Sequence, residues 1–125
     1  MPKLNLYMSY TCQNVSANIT EIDTGAMGGC VTVIVHGTDR THAQHCSGGF
    51  DALDQNILNG LGGILMIIIV APYLAGRDDE RVEAWVKLHK GYGKATYVKS
   101  SHALIKMDAL RNGDLDKLSG DFSQL

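Results

Sequence analysis

The sequence predicts an α/β fold: a single-domain sandwich with a mixed sheet, in which an N-terminal antiparallel hairpin precedes a βαβαβ unit. Residues 30–36 and 64–70 are almost entirely apolar, as is typical of parallel strands covered on both faces. Apolar residues at helical spacing follow each of these two runs. Residues 4–12 and 15–23 alternate in polarity, which predicts the hairpin. At 125 residues, the chain has the size of one domain.

The first helix of the βαβαβ unit is predicted between residues 50 and 61. It begins after Ser47, a capping residue, and ends in a glycine-rich segment. The apolar residues at helical spacing are Phe50, Leu53, Ile57 and Leu61. The strand at 64–70 follows, and we expect it at the centre of the sheet because so apolar a strand would aggregate at an edge.

The second helix has the clearest signals of the chain. Asp78 or Asp79 caps its start, Lys87 and His89 lie in its last turn, and Gly91 ends it. Residues 94–101 then predict the third strand. For residues 102–125, two alternatives remain open: a helix that ends at Gly113, or a strand and a turn.

Composition excludes several classes of function. The formal net charge is −2, and lysines and arginines are scattered, which argues against binding of duplex nucleic acid. The longest apolar run is far shorter than the roughly 20 residues that span a bilayer, so no membrane partner is expected. Three cysteines without a CxxC pair, and an N-terminus without a signal sequence, favour a cytoplasmic protein with reduced thiols.

Polar side chains follow each of the three predicted parallel strands. Ligands of open α/β sheets bind beyond the carboxyl ends of such strands, so these groups are expected to share one edge. The candidate catalytic residues are His36, Asp39 and His102. The candidate ligand-binding residues are Gly37, Thr38, Arg40, Tyr73, Arg77 and Ser101.

These residue types suit acid–base chemistry on an anion. His36 and His102 can exchange a proton near neutral pH, and Asp39 could orient one of them or hold a metal. Arg40 and Arg77 could hold a phosphate or carboxylate, and Arg77 lies just before a helix N-terminus. Neither loop matches a known phosphate-binding glycine motif.

The histidine-rich segment 37–49 has a second interpretation as a solvated polar loop. Metal binding is not predicted, because the spacing fits no established zinc motif, and no cofactor is assigned. His42 and His45 are interpreted as loop residues without a chemical role. Cys46 is interpreted as an apolar contact rather than a nucleophile, because side chains adjacent in sequence project apart.

The sequence thus predicts a small cytosolic enzyme that cleaves or transfers part of an anionic, nucleotide-like small molecule. A protein of the same architecture that binds or sequesters such a ligand without turnover is the alternative. An oligomeric structural or assembly protein is a third possibility. Apolar sheet edges also favour a homo-oligomer.

Overall fold

Residues 2–6, 10–27, 29–47, 53, 56–71, 77–113 and 122–124 are described by the computed structural model. The strands are β1 Lys3–Asn5, β2 Thr11–Cys12, β3 Glu21–Asp23, β4 Val31–Gly37, β5 Thr41–Cys46, β6 Ile64–Ala71, β7 Lys94–Lys99, β8 Leu104–Lys106 and β9 Phe122–Gln124. The helices are α1 Arg77–His89, a 3₁₀ turn Lys90–Tyr92 and α2 Met107–Asn112.

The protein is a mixed α/β fold with two sheets. The larger sheet has the order β2-β5-β4-β6-β7-β9, and the smaller one has the order β1-β3-β8. The apolar run of β6 lies between β4 and β7, which confirms its predicted central position. None of the helices among the described residues is long and apolar enough to span a membrane.

The β6-α1-β7 unit forms as the sequence predicts. β6 and β7 are parallel, with Met66 opposite Lys94 and Ala71 opposite Lys99. Helix α1 buries Val82 and Val86 against this part of the sheet. The carboxyl ends of β6 and β7 therefore lie side by side.

The predicted parallel arrangement of the strands at 30–36 and 64–70 is wrong. β4 and β6 are antiparallel, with Thr32 opposite Val70 and His36 opposite Met66. The reason is an additional strand, β5, which pairs antiparallel with β4 and carries the chain back along the sheet. The complete βαβαβ unit is therefore not formed.

Strand β5 occupies part of the segment that was interpreted as a polar loop. All six of its residues are buried, including His42 and His45. The expectation that these two histidines are solvated is wrong. His and Gln side chains hide the burial from a hydrophobicity pattern, and the sequence T-H-A-Q-H-C of β5 lacks the apolar–polar alternation of a half-buried strand.

The predicted helix at 50–61 lies partly outside the described residues, and residues 56–60 form turns. Of its four expected apolar residues, Phe50 lies outside the described residues and the other three are buried. Leu53, Ile57 and Leu61 pack in the same cluster as Val82 and Val86 of α1. These three residues, which lie between β5 and β6, thus cover the same face of the sheet as α1.

The predicted N-terminal hairpin is also wrong. β1 pairs parallel with β3, whereas β2 pairs antiparallel with β5 in the larger sheet. In the C-terminal region, both alternatives are partly right. A strand, β8, leads into helix α2, which ends at Gly113 in the left-handed conformation (φ 67°).

Two hydrophobic cores lie on the two faces of the larger sheet. One contains side chains of β4 and β6 together with Ile22 of β3, Ile105 of β8 and Leu110 of α2. The other lies under α1 and contains Leu53, Ile57 and Leu61. Ile68 belongs to the first core and Ile69 to the second, as expected for neighbours on a strand covered on both faces.

Candidate active site at the end of β4

The largest group of sequence-predicted site residues lines one cavity, which we call the His36 cavity. Its volume is about 530 Å³, within the range of small-molecule sites. Its polar lining residues are Asn14, Ser16, His36, Thr38, Asp39, Arg40, Thr41 and Arg111. Gly37 lines it as well. The structure therefore brings together all the residues predicted from 36 to 40.

A tight turn between β4 and β5 positions this part of the cavity. The Gly37 N–H donates to the Arg40 carbonyl at 3.0 Å, which closes the turn. Two backbone hydrogen bonds join the turn to the segment before β6. The Thr38 N–H donates to Gly63 O and the Asp39 N–H donates to Leu61 O, each at 2.9 Å.

Gly37 is required by this close approach. A Cβ atom at position 37 would lie 2.1 Å from the Leu61 carbonyl oxygen, a backbone atom that cannot easily move. The sequence predicts a ligand-binding role for Gly37. Packing also explains why position 37 is a glycine, because only glycine lets the turn pack against residues 61–63.

His36 is the titratable group at the end of β4. Its Nδ1 lies 2.6 Å from Thr41 Oγ1 on the neighbouring strand. Burial lowers the pKa of His36 below its ordinary value, and the positive charge of Arg111 lowers it further. The neutral imidazole is therefore favoured at neutral pH.

Asp39 does not perform the orienting role that was expected of it. The hydroxyl of Thr41 holds His36, while the Asp39 carboxylate faces the Thr38 hydroxyl at 3.5 Å. Asp39 contributes a negative charge to the cavity instead.

Two arginines from distant parts of the chain line the His36 cavity. The Arg40 Nη2 donates to Asn59 O at 2.7 Å, and its buried Nε has no hydrogen-bond partner among the described residues. The Arg111 Nη2 donates to Ala17 O at 3.1 Å, and its Nη1 lies 3.8 Å from the exposed Asp108 carboxylate.

Sequence reasoning missed Arg111, Asn14 and Ser16. Arg111 lies in the last turn of α2, in a region for which the sequence leaves two secondary-structure alternatives open. Its only sequence signal was that of a basic residue near a helix C-terminus, which does not indicate proximity to His36. Asn14 and Ser16 were assigned to the turn and second strand of a hairpin that does not form.

His102 and Ser101 are not part of the His36 cavity. They follow β7, whereas His36 lies opposite the start of that strand, with Met66 of β6 between them. Met66 and Ala71, which lies opposite Lys99 at the end of β7, are five positions apart along β6, a distance of roughly 17 Å. The predicted sharing of one edge by His36 and His102 is therefore wrong, because β4 runs against β6 and β7.

Tyr73 lies outside the described residues. Arg77 is the first residue of α1, and its side chain lies outside the described part of the structure. Their predicted roles in ligand binding stay predictions.

His102 instead interacts with Asp23. Its Nε2 lies 2.5 Å from Asp23 Oδ1, and the same oxygen accepts the Gly25 N–H at 2.8 Å. The burial of Asp23 opposes ionisation, but the Gly25 N–H, the His102 contact and the nearby Lys3 ammonium together lower the pKa of Asp23 below its ordinary value.

Cysteine and metal-binding side chains are further candidates for a reactive site. Burial, together with the nearby Cys30, raises the pKa of Cys46 to about 12, so this thiol is not poised as a nucleophile. Among the described residues, no group of three His, Cys, Asp or Glu side chains is arranged to hold a metal ion.

Comparison of the chain with protein-family models, with curated proteins and with solved structures found no match.

Proposed function

We propose that the His36 cavity binds a small anionic, nucleotide-like molecule and that the protein cleaves or transfers part of it with acid–base assistance. One observation carries the proposal: Arg40 and Arg111, from two separate elements, line the same cavity as His36. Converging guanidinium groups suit phosphate or carboxylate, because each offers several N–H donors in a planar fork.

The charges of the cavity favour an anion. Arg40 and Arg111 contribute two positive charges, and Asp39 contributes one negative charge among the lining residues. The Arg40 Nε without a partner is a donor that a ligand oxygen could satisfy. Asn14, Ser16 and Thr38 add neutral groups that can fix the orientation of a polar ligand.

His36 is the proposed general base or acid. If its Nδ1–H donates to Thr41 Oγ1, Nε2 carries a lone pair and accepts a proton; the other tautomer donates one. The lowered pKa favours the neutral ring and therefore the role of base at neutral pH.

Binding can be tested by calorimetry with adenosine monophosphate and adenosine, which differ by the phosphate. We expect binding of the nucleotide alone, weakened at least about tenfold in Arg111→Gln, since a hydrogen bond to a charged group contributes about 1.5–3 kcal/mol. The control variant Lys87→Gln makes the same charge change at an exposed position of α1. It should bind adenosine monophosphate as tightly as the wild-type protein does. Equal binding of adenosine, or an equal loss in Lys87→Gln, would contradict the proposal.

A binding protein without turnover is the second candidate. It is favoured by the partner of His36, a hydroxyl rather than a carboxylate, which provides less assistance to a general base. The variant His36→Gln separates the two functions: turnover is lost with little change in affinity if the protein is an enzyme, and only affinity changes if it is a binder.

A cytoplasmic location and a homo-oligomer belong to the same proposal. The free thiols of Cys12, Cys30 and Cys46 are compatible with a reducing compartment. The exposed side chains of Leu65, Leu88 and Tyr92 provide apolar surface that a second copy could cover.

A further inference from the structure

A second cavity lies at the opposite end of the larger sheet from the His36 cavity. β5 and β6 both run against β4, and β7 runs parallel to β6, so β5, β6 and β7 share one direction. Their carboxyl ends lie at one end of the sheet, the place where open α/β sheets bind ligands. His45 is the penultimate residue of β5, and His102 follows β7.

These two histidines line a common cavity of about 340 Å³, which we call the His45 cavity. Its volume is at the small end of the range for ligand sites and suits a molecule of about one ring. The residues that line it are Asn5, Leu6, Asp23, Gly25, Ala26, His45 and His102.

His45, which lines this cavity, carries a buried ring nitrogen whose hydrogen-bonding capacity is unmet. The side chain is almost completely buried, at 2% exposure. Its Nδ1 lies 2.9 Å from both the Leu6 and the Thr24 carbonyl oxygens, so Nδ1 carries the hydrogen. In the neutral ring, Nε2 is then an acceptor. Nε2 has no hydrogen-bond partner within the described ranges of the chain.

Gly25 lies beside the buried ring of His45. A Cβ atom at this position would lie 4.0 Å from His45 Cε1 and 3.0 Å from Leu6 O. Gly25 also has φ +73°, a conformation that residues with side chains rarely adopt. The absence of a side chain at position 25 keeps the cavity open beside the imidazole.

Asp23 and His102 already have partners. Asp23 Oδ1 accepts from the Gly25 N–H and contacts His102 Nε2, and Lys3 Nζ lies 3.5 Å from Oδ2. No metal-binding group of three side chains exists in the described part of the chain. The acceptor at His45 Nε2 therefore calls for a ligand that donates a hydrogen bond rather than for a metal ion.

We propose that the His45 cavity is a second ligand site, which binds a small apolar molecule bearing an O–H or N–H group that donates to His45 Nε2. Leu6 and Ala26 contact the apolar body of the ligand. Burying a polar acceptor without a partner is unfavourable, so a donor-bearing ligand gains affinity that an apolar molecule of the same shape lacks. This site is independent of the function proposed for the His36 cavity.

The experiment compares phenol with anisole, which has a similar body but no O–H donor. Binding to the wild-type protein is measured by NMR titration, with the imidazole ¹⁵N resonances of His45 as the readout. We expect phenol to bind about tenfold more tightly than anisole and to shift the Nε2 resonance of His45. Equal affinities, no binding of phenol at millimolar concentration, or a shift confined to other histidines would overturn the proposal.

Two variants provide matched controls. His45→Phe removes the acceptor, and it should abolish the preference for phenol over anisole. His102→Gln changes an exposed residue of the same cavity, and it should keep that preference. Loss of the preference in His102→Gln alone would overturn the assignment to His45. If His45→Phe does not fold, the ¹⁵N readout in His102→Gln and the wild type still decides the question.

Discussion

At the scale of single residues, the environment of each histidine decides what it can do. His36 is partly buried, its Nδ1 faces the Thr41 hydroxyl, and the charge of Arg111 lowers its pKa. His45 is almost completely buried and has one ring nitrogen fixed by two carbonyl groups. His102 is half exposed and contacts a carboxylate. The three rings have the same chemistry in the sequence, and only their neighbours distinguish them.

The titration of His36 tests its proposed environment. We expect an NMR midpoint below the reference value of 6.5, because burial and the Arg111 charge both disfavour the imidazolium. In Arg111→Gln, the pKa should rise towards that value without reaching it, since burial remains. Arg40→Gln should leave it unchanged. A midpoint above 6.5, or an equal shift in Arg40→Gln, would contradict this assignment.

The sign of the related effect on stability follows from the lowered pKa. The unfolded chain binds a proton at His36 more readily than the folded protein does. The contribution of His36 to the free energy of unfolding is therefore fully present above about pH 6.5. It is lost as the pH falls through the lower pKa that His36 has in the folded state.

At the scale of elements, the hydrophobic pattern predicts a buried strand correctly where the buried positions hold apolar residues. β6 consists almost entirely of apolar residues, and its central position follows from that alone. β5 is equally buried but contains two histidines, a glutamine and a threonine, so the same criterion misses it. The N-terminal strands were recognised from alternation, whereas their partners lie far along the chain.

The two-sided burial of β6 has a measurable consequence. Ile68→Ala and Ile69→Ala should each lower the free energy of unfolding by about 2–5 kcal/mol, because each leaves a cavity in a different core. Leu88→Ala, at an exposed position of α1, should change it by no more than about 0.5 kcal/mol. Urea denaturation measures all three. A loss confined to one of the two isoleucines would show that one face of β6 is uncovered.

At the scale of the whole molecule, the direction of β4 determines how the polar residues are grouped. With β4 antiparallel to β6, the sequence-predicted set is divided between two ends of the sheet. His36 joins Arg40 and Arg111 at one end, and His102 joins Asp23 and His45 at the other.

A double-mutant cycle tests this division. Residues this far apart without common partners should be energetically independent, so His36→Gln and His102→Gln should be additive within about 0.5 kcal/mol. His102→Gln and Asp23→Asn should be non-additive, because these two side chains are in contact. The non-additivity will be small, since His102 is half exposed to solvent. Coupling between His36 and His102 as large as that of the contacting pair would contradict the separation.

The sequence by itself determined the mixed α/β class, the β6-α1-β7 unit and the placement of residues 36–40 at the carboxyl end of a buried strand. These features depend on local patterns, since apolar periodicity, capping residues and glycines act over a few residues. The tertiary structure alone decided that β5 is a strand, that β4 runs against β6, and that Arg111 approaches His36. Such pairings form between residues distant in sequence, and their free energy comes from burial and hydrogen bonding that exist only once the sheet is assembled.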